Sequence, residues 1–148
     1  MTPIRSGVII IEGNKVALIE RVNAKGTYYL FPGGGVEAGE TVEAAAIREA
    51  WEELGVEVQL AGLMAVVTFD QTEQFYYAAQ IVGGEFGSGK GEELASVAAS
   101  PAGTYRPVWL ERNQLSRYNV RPKELAERVM EHDFKGTYTP FQITEQVG

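Results

Sequence analysis

Clusters of apolar residues predict a chain built mainly of short β-strands. Residues 5–12 and 15–22 are both rich in valine and isoleucine, and they flank a Gly13-Asn14 turn, which predicts a β-hairpin. β-Branched and aromatic residues cluster again between turn residues, and this predicts further strands at residues 27–31, 56–70, 73–82 and 105–110. Between the last two strands, a glycine- and alanine-rich stretch predicts a loop.

Two segments are predicted to form helices. Residues 41–54 begin at Thr41, a residue type that caps helix N-termini, and are followed by Gly55, which suits the left-handed end of a helix. A second helix is predicted over residues 122–132, with a proline in its first turn. Together with the strands, this order predicts one α+β domain over residues 1–148, a mixed sheet with helices packed on its faces.

The first helix combines an apolar stripe with a row of glutamates. The stripe contains Ile47, Trp51 and Leu54, which predicts that Trp51 lies in the core, as we also expect for Trp109. Beside the stripe, an arc of about 100° holds Glu49, Glu52 and Glu53. Like charges at these spacings cost roughly 0.2–0.5 kcal/mol per pair. A bound Mg²⁺ would turn this repulsion into attraction, and the alternative is a solvated acidic helix face.

A proline and three glycines connect the strand over residues 27–31 to this helix. Gly33, Gly34 and Gly35 cost backbone entropy, which makes sense where the chain must approach a ligand closely. Such a loop offers carbonyl oxygens to a metal ion and amides to a phosphate. We therefore expect Gly34 and Gly35 to contact substrate, and an ordinary tight turn is the alternative.

Charge and composition narrow the chemistry. The net charge is −7, and residues 37–57, with seven glutamates and one arginine, carry −6 of it. The chain has no cysteine and one histidine, which excludes a thiol nucleophile, disulfides and a histidine-rich zinc site. Net acidity argues against a nucleic-acid surface. No apolar run is long enough for a membrane span and no signal peptide is evident, so we expect a cytoplasmic protein.

Residues 34–56, GGVEAGETVEAAAIREAWEELGV, resemble the signature of the Nudix family. That signature is Gly, five residues, Glu, seven residues, Arg-Glu, an apolar residue, any residue, Glu-Glu, any residue, Gly and an apolar residue. The matching positions are Gly34, Glu40, Arg48, Glu49, Glu52, Glu53, Gly55 and Val56. Ala50 stands where the family more often has a larger aliphatic residue, and it keeps the apolar character.

The resemblance implies an α/β/α sandwich around a mixed sheet. It also implies Mg²⁺- or Mn²⁺-dependent hydrolysis of a nucleoside diphosphate linked to another moiety. Carried over by position, Glu49 and Glu53 are the principal metal ligands, with the Gly33 carbonyl as a backbone ligand. Glu52 is a further ligand or the general base, and Arg48 braces the neighbouring carboxylates.

The general base and the substrate contacts are less defined. Because the family takes its base either from the box or from a later loop, the resemblance leaves Glu52, Glu92 and Glu93 as candidates. Among other residues, Tyr29 is a candidate for stacking on a base. Lys90 is a candidate phosphate contact in the segment GEFGSGKG, which lacks the hydroxyl residue of a P-loop.

A non-catalytic regulator stays open beside the hydrolase, whereas an isomerase is disfavoured. A regulator with the same fold would bind a nucleotide without cleaving it, although such proteins tend to lose the box carboxylates that are present here. An isomerase acting on a diphosphate lipid precursor would need additional groups such as cysteine. The expected partner is a small nucleoside diphosphate derivative, with no nucleic acid and no membrane, and the resemblance is compatible with a homodimer.

Overall fold

The computed structural model describes residues 4–69, 71–88, 104–131 and 140–145. Its strands are β1 (Ile4–Glu12), β2 (Lys15–Asn23), β3 (Gly26–Leu30), β4 (Gly33–Gly35), β5 (Val56–Phe69), β6 (Thr72–Gly84), β7 (Thr104–Glu111), β8 (Val120–Arg121) and β9 (Phe141–Glu145). Its helices are α1 (Val42–Leu54), a 3-10 helix (Arg112–Arg117) and α2 (Lys123–Glu131). None of these helices is long and apolar enough to cross a membrane.

The strands of the described residues form one mixed sheet, as the pattern predicted. The strand order is β8-β3-β2-β1-β6-β5-β9, with β4 paired to β1 and β7 paired to β2. The β1–β6, β3–β8 and β5–β9 pairs are parallel, and the other pairs are antiparallel. The predicted hairpin pairs only near its turn, through Ile11 with Val16 and Glu12 with Lys15. Beyond the turn, β1 and β2 separate and take different neighbours.

Alternation of side chains along β1 divides the core into two clusters. Ile9 belongs to a cluster that includes Leu125 of α2, whereas Val8 and Ile10 belong to a cluster that includes Leu54 of α1. All five side chains are at most 1% exposed, and each such burial is worth about 1.5–3 kcal/mol. The two helices therefore cover opposite faces of the sheet, as the α+β prediction requires.

Both predicted ends of α1 are confirmed. The side-chain oxygen of Thr41 accepts a hydrogen bond from the backbone N–H of Ala44 at 3.0 Å, which satisfies a donor that the first turn leaves open. Gly55 has a left-handed conformation with φ of 80°, and its N–H donates to the Trp51 carbonyl at 3.0 Å. These caps fix where the glutamate-rich helix begins and ends.

The buried face of α1 differs from the predicted apolar stripe. Ile47 and Trp51 are 42% and 45% exposed, so the prediction that Trp51 lies in the core is wrong. The buried residues of the helix are Ala45, Ala46, Ala50 and Leu54. At about 100° per residue, Glu49 and Glu53 fall between the first two of these alanines on the helix circumference. The helix thus packs through small residues and directs two glutamates toward the protein. Trp109 is half-buried and stacks on Phe86.

The glycines that connect β3 to α1 form a strand rather than a loop. Gly33, Gly34 and Gly35 pair antiparallel with β1. Gly33 lies opposite Gly7, where a Cβ atom would collide with the Pro32 carbonyl oxygen. Because neither strand has a side chain at this position, the backbones of β1 and β4 can approach each other closely here.

Candidate active site

A cavity of about 580 Å³ lies where the glycine strand, α1 and the ends of several sheet strands meet. Its acidic residues are Glu49 and Glu53, which lie beside Gly33, Gly34 and Gly35. Its walls carry three arginines, Arg5, Arg21 and Arg121. The aromatic side chains of the lining are Phe31, Phe69, Tyr76 and Tyr105. The cavity thus offers carboxylate oxygens that can bind a cation, guanidinium groups that can bind an anion and aromatic rings that can stack on a planar ring.

Glu53 is held by hydrogen bonds at both of its carboxylate oxygens. The backbone N–H of Gly33 donates to Oε2 at 2.7 Å, and the hydroxyl of Tyr105 donates to Oε1. Tyr105 lies on β7, which is far from α1 in the sequence. Donors from two separate parts of the fold thus hold the Glu53 carboxylate at the wall of the cavity.

Glu49 packs its carboxylate against a glycine. A Cβ atom on Gly34 would lie 2.5 Å from Glu49 Cδ and 2.8 Å from Oε1, so only glycine leaves the carboxylate this place. The Glu49 side chain is 13% exposed. The pKa of Glu49 is raised; burial is the largest cause, the Glu52 charge adds to it, and the Arg48 guanidinium opposes it. The carboxylate therefore lies in a partly desolvated place that favours a positively charged ligand.

Arg48 connects the carboxylates to the glycine strand. Its Nε and Nη2 donate to the two oxygens of Glu40 at 2.8 and 3.0 Å, and Nη2 also donates to the Gly35 carbonyl at 2.9 Å. Its Nη1 donates to Glu49 at 2.9 Å and to Glu52 at 3.0 Å. The hydrogen bond between Arg48 and Glu40 is the largest cause of two shifts: it lowers the pKa of Glu40 and raises the pKa of Arg48. Arg48 thus links Glu40, Glu49, Glu52 and the Gly35 carbonyl through hydrogen bonds.

Glu52 has a different environment from the other two carboxylates. Its side chain is 46% exposed, it does not line the cavity, and Arg48 is its hydrogen-bond partner. Within residues 4–69, 71–88, 104–131 and 140–145, no three histidine, cysteine, aspartate or glutamate side chains come together as a metal site. The cavity therefore presents two carboxylates, which fits Mg²⁺, an ion commonly held by one or two carboxylates together with water and substrate phosphates.

The other predicted site residues are distributed as follows. Tyr29 is 8% exposed, donates its hydroxyl to Glu20 at 3.0 Å and does not line the cavity. Lys90, Glu92 and Glu93 lie outside the described residues.

Several polar residues that line the cavity were not predicted from the sequence. These residues are Arg5, Arg21, Gln74, Tyr105 and Arg121. No local motif marks them, because strand pairing brings them together; Arg21, for example, lies directly opposite Tyr105 in the β2–β7 pair.

Comparison with known proteins identifies the family. Residues 1–139 match the family model described as NUDIX domain. The chain belongs to the Nudix family. The Nudix signature at residues 34–56 contains the carboxylates that Arg48 contacts and two of the three residues of the glycine strand, so the motif forms one wall of the cavity.

Relatives with assigned names align with part of this Nudix chain. It is 37% identical over 89 residues to the ADP-ribose pyrophosphatase of Methanocaldococcus jannaschii, a match that covers 55% of this chain and 52% of that protein. It is 38% identical over 69 residues to the 8-oxo-dGTP diphosphatase of Proteus vulgaris, covering 45% of this chain and 62% of that protein. The chain thus spans about half to three fifths of the length of these relatives.

Solved structures confirm the Nudix fold. A Nudix hydrolase from Nitrosomonas europaea has a TM-score of 0.71 at 18% identity and covers 97% of this chain and 80% of its own. An ADP-ribose pyrophosphatase from Streptococcus suis has a TM-score of 0.70 at 14% identity and covers 96% and 99% of the two chains. At this identity the likeness concerns the fold alone.

Proposed function

We propose that this protein hydrolyses the diphosphate bond of a nucleoside diphosphate derivative and requires a divalent metal ion. The observation that carries the proposal is the pairing of Glu49 and Glu53, which line one cavity beside the glycine strand. The names of the relatives, a pyrophosphatase and a diphosphatase, support the same reaction type. Their different substrates leave the nucleoside and the second moiety to experiment.

The metal ion is Mg²⁺ or Mn²⁺ in this proposal, and Glu49 and Glu53 are its principal ligands. The Gly33 carbonyl is a backbone ligand, and Glu52 is a further ligand or the general base. When bound, the ion would neutralise charge on the diphosphate oxygens and promote deprotonation of water. The chain's own contribution is to hold both carboxylates in place through Gly33, Tyr105 and Arg48 before substrate arrives.

The walls of the cavity supply the proposed substrate contacts. Arg5, Arg21 and Arg121 are positioned to bind phosphate oxygens, for which the guanidinium group is well suited. Phe69 is 39% exposed although it lines the cavity, which makes it available for stacking on a nucleobase. Lys90 remains our candidate for a further phosphate contact.

The proposed reaction is an attack of water at phosphorus. The water oxygen forms a bond to one phosphorus atom, the bond from that phosphorus to the bridging oxygen breaks, and the leaving phosphate keeps the electron pair. A glutamate takes the proton of the water, and its candidates are Glu52, Glu92 and Glu93. Individual replacement of these three by glutamine, followed by pH–rate profiles, identifies the base as the variant that loses the acidic limb.

The test is a panel of nucleotides incubated with the purified protein, with and without Mg²⁺ or Mn²⁺. The panel contains ADP-ribose, 8-oxo-dGTP, dGTP, a nucleotide sugar and a dinucleoside tetraphosphate, and products are separated by chromatography. We expect metal-dependent release of a nucleoside monophosphate from at least one compound. Binding of a nucleotide without turnover would favour the regulator, and turnover that persists in the presence of a chelator would contradict the metal requirement.

A further inference from the structure

Tyr105 reaches from β7 to the carboxylate of Glu53, and we propose that it is a positioning residue for that carboxylate. The proposal rests on the function above, because Glu53 matters for catalysis only if it binds the metal ion. It adds a residue that lies outside the Nudix signature and about 50 residues after α1 in the sequence. The described contacts give three reasons for the assignment.

The first reason is the way in which Glu53 is fixed. Gly33 N–H donates to one oxygen and the Tyr105 hydroxyl donates to the other, from opposite ends of the carboxylate. The last side-chain torsion of glutamate is broad, so a single donor at one oxygen does not by itself determine the plane of the carboxylate. Donors at both oxygens restrict this torsion and thereby orient the carboxylate of the proposed metal ligand.

The second reason is the way in which Tyr105 itself is fixed. It is 8% exposed, and Arg21 lies directly opposite it in the antiparallel β2–β7 pair. The Arg21 guanidinium lies over the Tyr105 ring, 5.0 Å from its centroid, which is within the range of cation–π attraction. The ring is thus held by a neighbour on rigid sheet and not by a loop.

The third reason concerns Arg21. Its Nε is buried and has no hydrogen-bond partner within the described residues, although buried polar atoms are normally paired. The contact described for this guanidinium is the one with the ring of Tyr105. Arg21, Tyr105 and Glu53 form a continuous series from the sheet to the proposed metal ligand.

The test replaces Tyr105 by phenylalanine, which removes only the hydroxyl. Mn²⁺ affinity without nucleotide is measured by electron paramagnetic resonance, and kcat and KM are measured on the best substrate of the panel. Loss of a group that orients a metal ligand typically costs 10–100-fold in metal affinity or activity. For Tyr105→Phe we therefore expect Mn²⁺ binding about tenfold weaker and kcat about tenfold lower. We expect KM to stay within about twofold of the wild-type value. Tyr77→Phe, a half-buried tyrosine outside the cavity, is the control and should leave all three values unchanged.

A double-mutant cycle shows whether Tyr105 acts through Glu53. In the Glu53→Gln background, Tyr105→Phe should cause no further loss of Mn²⁺ affinity, because the two residues share one interaction. An equal loss in both backgrounds, or Tyr105→Phe with wild-type Mn²⁺ affinity, overturns the proposal. If the wild-type protein binds Mn²⁺ but cleaves no nucleotide, the proposed function is wrong. The Mn²⁺ affinities of the wild type and of Tyr105→Phe still decide the role of Tyr105 in that case. Wild-type protein that binds no Mn²⁺ would overturn both.

Discussion

The carboxylate of Glu49 occupies the space in which a Cβ atom of residue 34 would lie, and Gly34 leaves that space open. A methyl group on Gly34 would lie 2.5 Å from Glu49 Cδ, and the atom it meets is the far end of a flexible side chain. The fold can therefore accept an alanine at this position, but the carboxylate must move. The glycine of the signature thus has a steric reason that is specific to Glu49.

We expect Gly34→Ala to fold and to lose activity. Displacement of a proposed metal ligand should lower kcat/KM by about 10–100-fold, while circular dichroism and thermal unfolding stay close to wild type. Gly35→Ala is the control for folding, since nothing lies within 4 Å of a Cβ atom there. Wild-type kcat/KM in Gly34→Ala would show that the observed place of Glu49 is not needed for turnover.

Replacement of Arg48 by lysine tests whether turnover needs the hydrogen bonds that Arg48 makes to its neighbours. Lysine keeps the positive charge but cannot reproduce the forked contacts to Glu40, Glu49, Glu52 and the Gly35 carbonyl. We expect kcat to fall by about tenfold or more in a protein that remains folded. The same substitution at Arg117, which does not line the cavity, should have no effect on kcat. Full activity of Arg48→Lys would mean that charge alone is sufficient at this position.

Two substitutions on α1 test its orientation. Leu54 is fully buried, so Leu54→Ala should lower the free energy of unfolding by about 2–5 kcal/mol. Ile47 is 42% exposed, so Ile47→Ala should cost less than about 1 kcal/mol. Urea denaturation measures both changes. A loss at Ile47 as large as the loss at Leu54 would be incompatible with the observed packing of the helix.

Arg121 offers a test of the proposed phosphate contacts. It lines the cavity, and its guanidinium lies 4.4 Å from the centroid of the Tyr28 ring. A charge-assisted hydrogen bond of about 1.5–3 kcal/mol corresponds to a loss of roughly tenfold or more, so we expect Arg121→Gln to raise KM by about tenfold. Arg117→Gln is the control. If KM is unchanged, Arg121 does not contact the substrate.

The sequence was sufficient for those features that depend on local residues. The caps of α1 at Thr41 and Gly55 are confirmed because capping involves only the adjacent turn. The side on which α1 packs was predicted incorrectly, since hydrophobicity placed Trp51 inward whereas the helix packs through alanines. Tyr105 was missed for a related reason: its contact with Glu53 depends on the position of β7 in the sheet, and no periodicity along the chain records that position.

The central claim is that Glu49 and Glu53 hold the metal ion used in hydrolysis. Its most direct test is kcat/KM with Mg²⁺ for Glu53→Gln and Glu49→Gln, compared with Glu43→Gln, an exposed glutamate on the same helix that does not line the cavity. Metal ligands contribute several kcal/mol, so we predict a loss of about 100-fold or more in the first two variants and wild-type activity in the third, with all three folded. Folded Glu53→Gln with wild-type turnover would contradict the account.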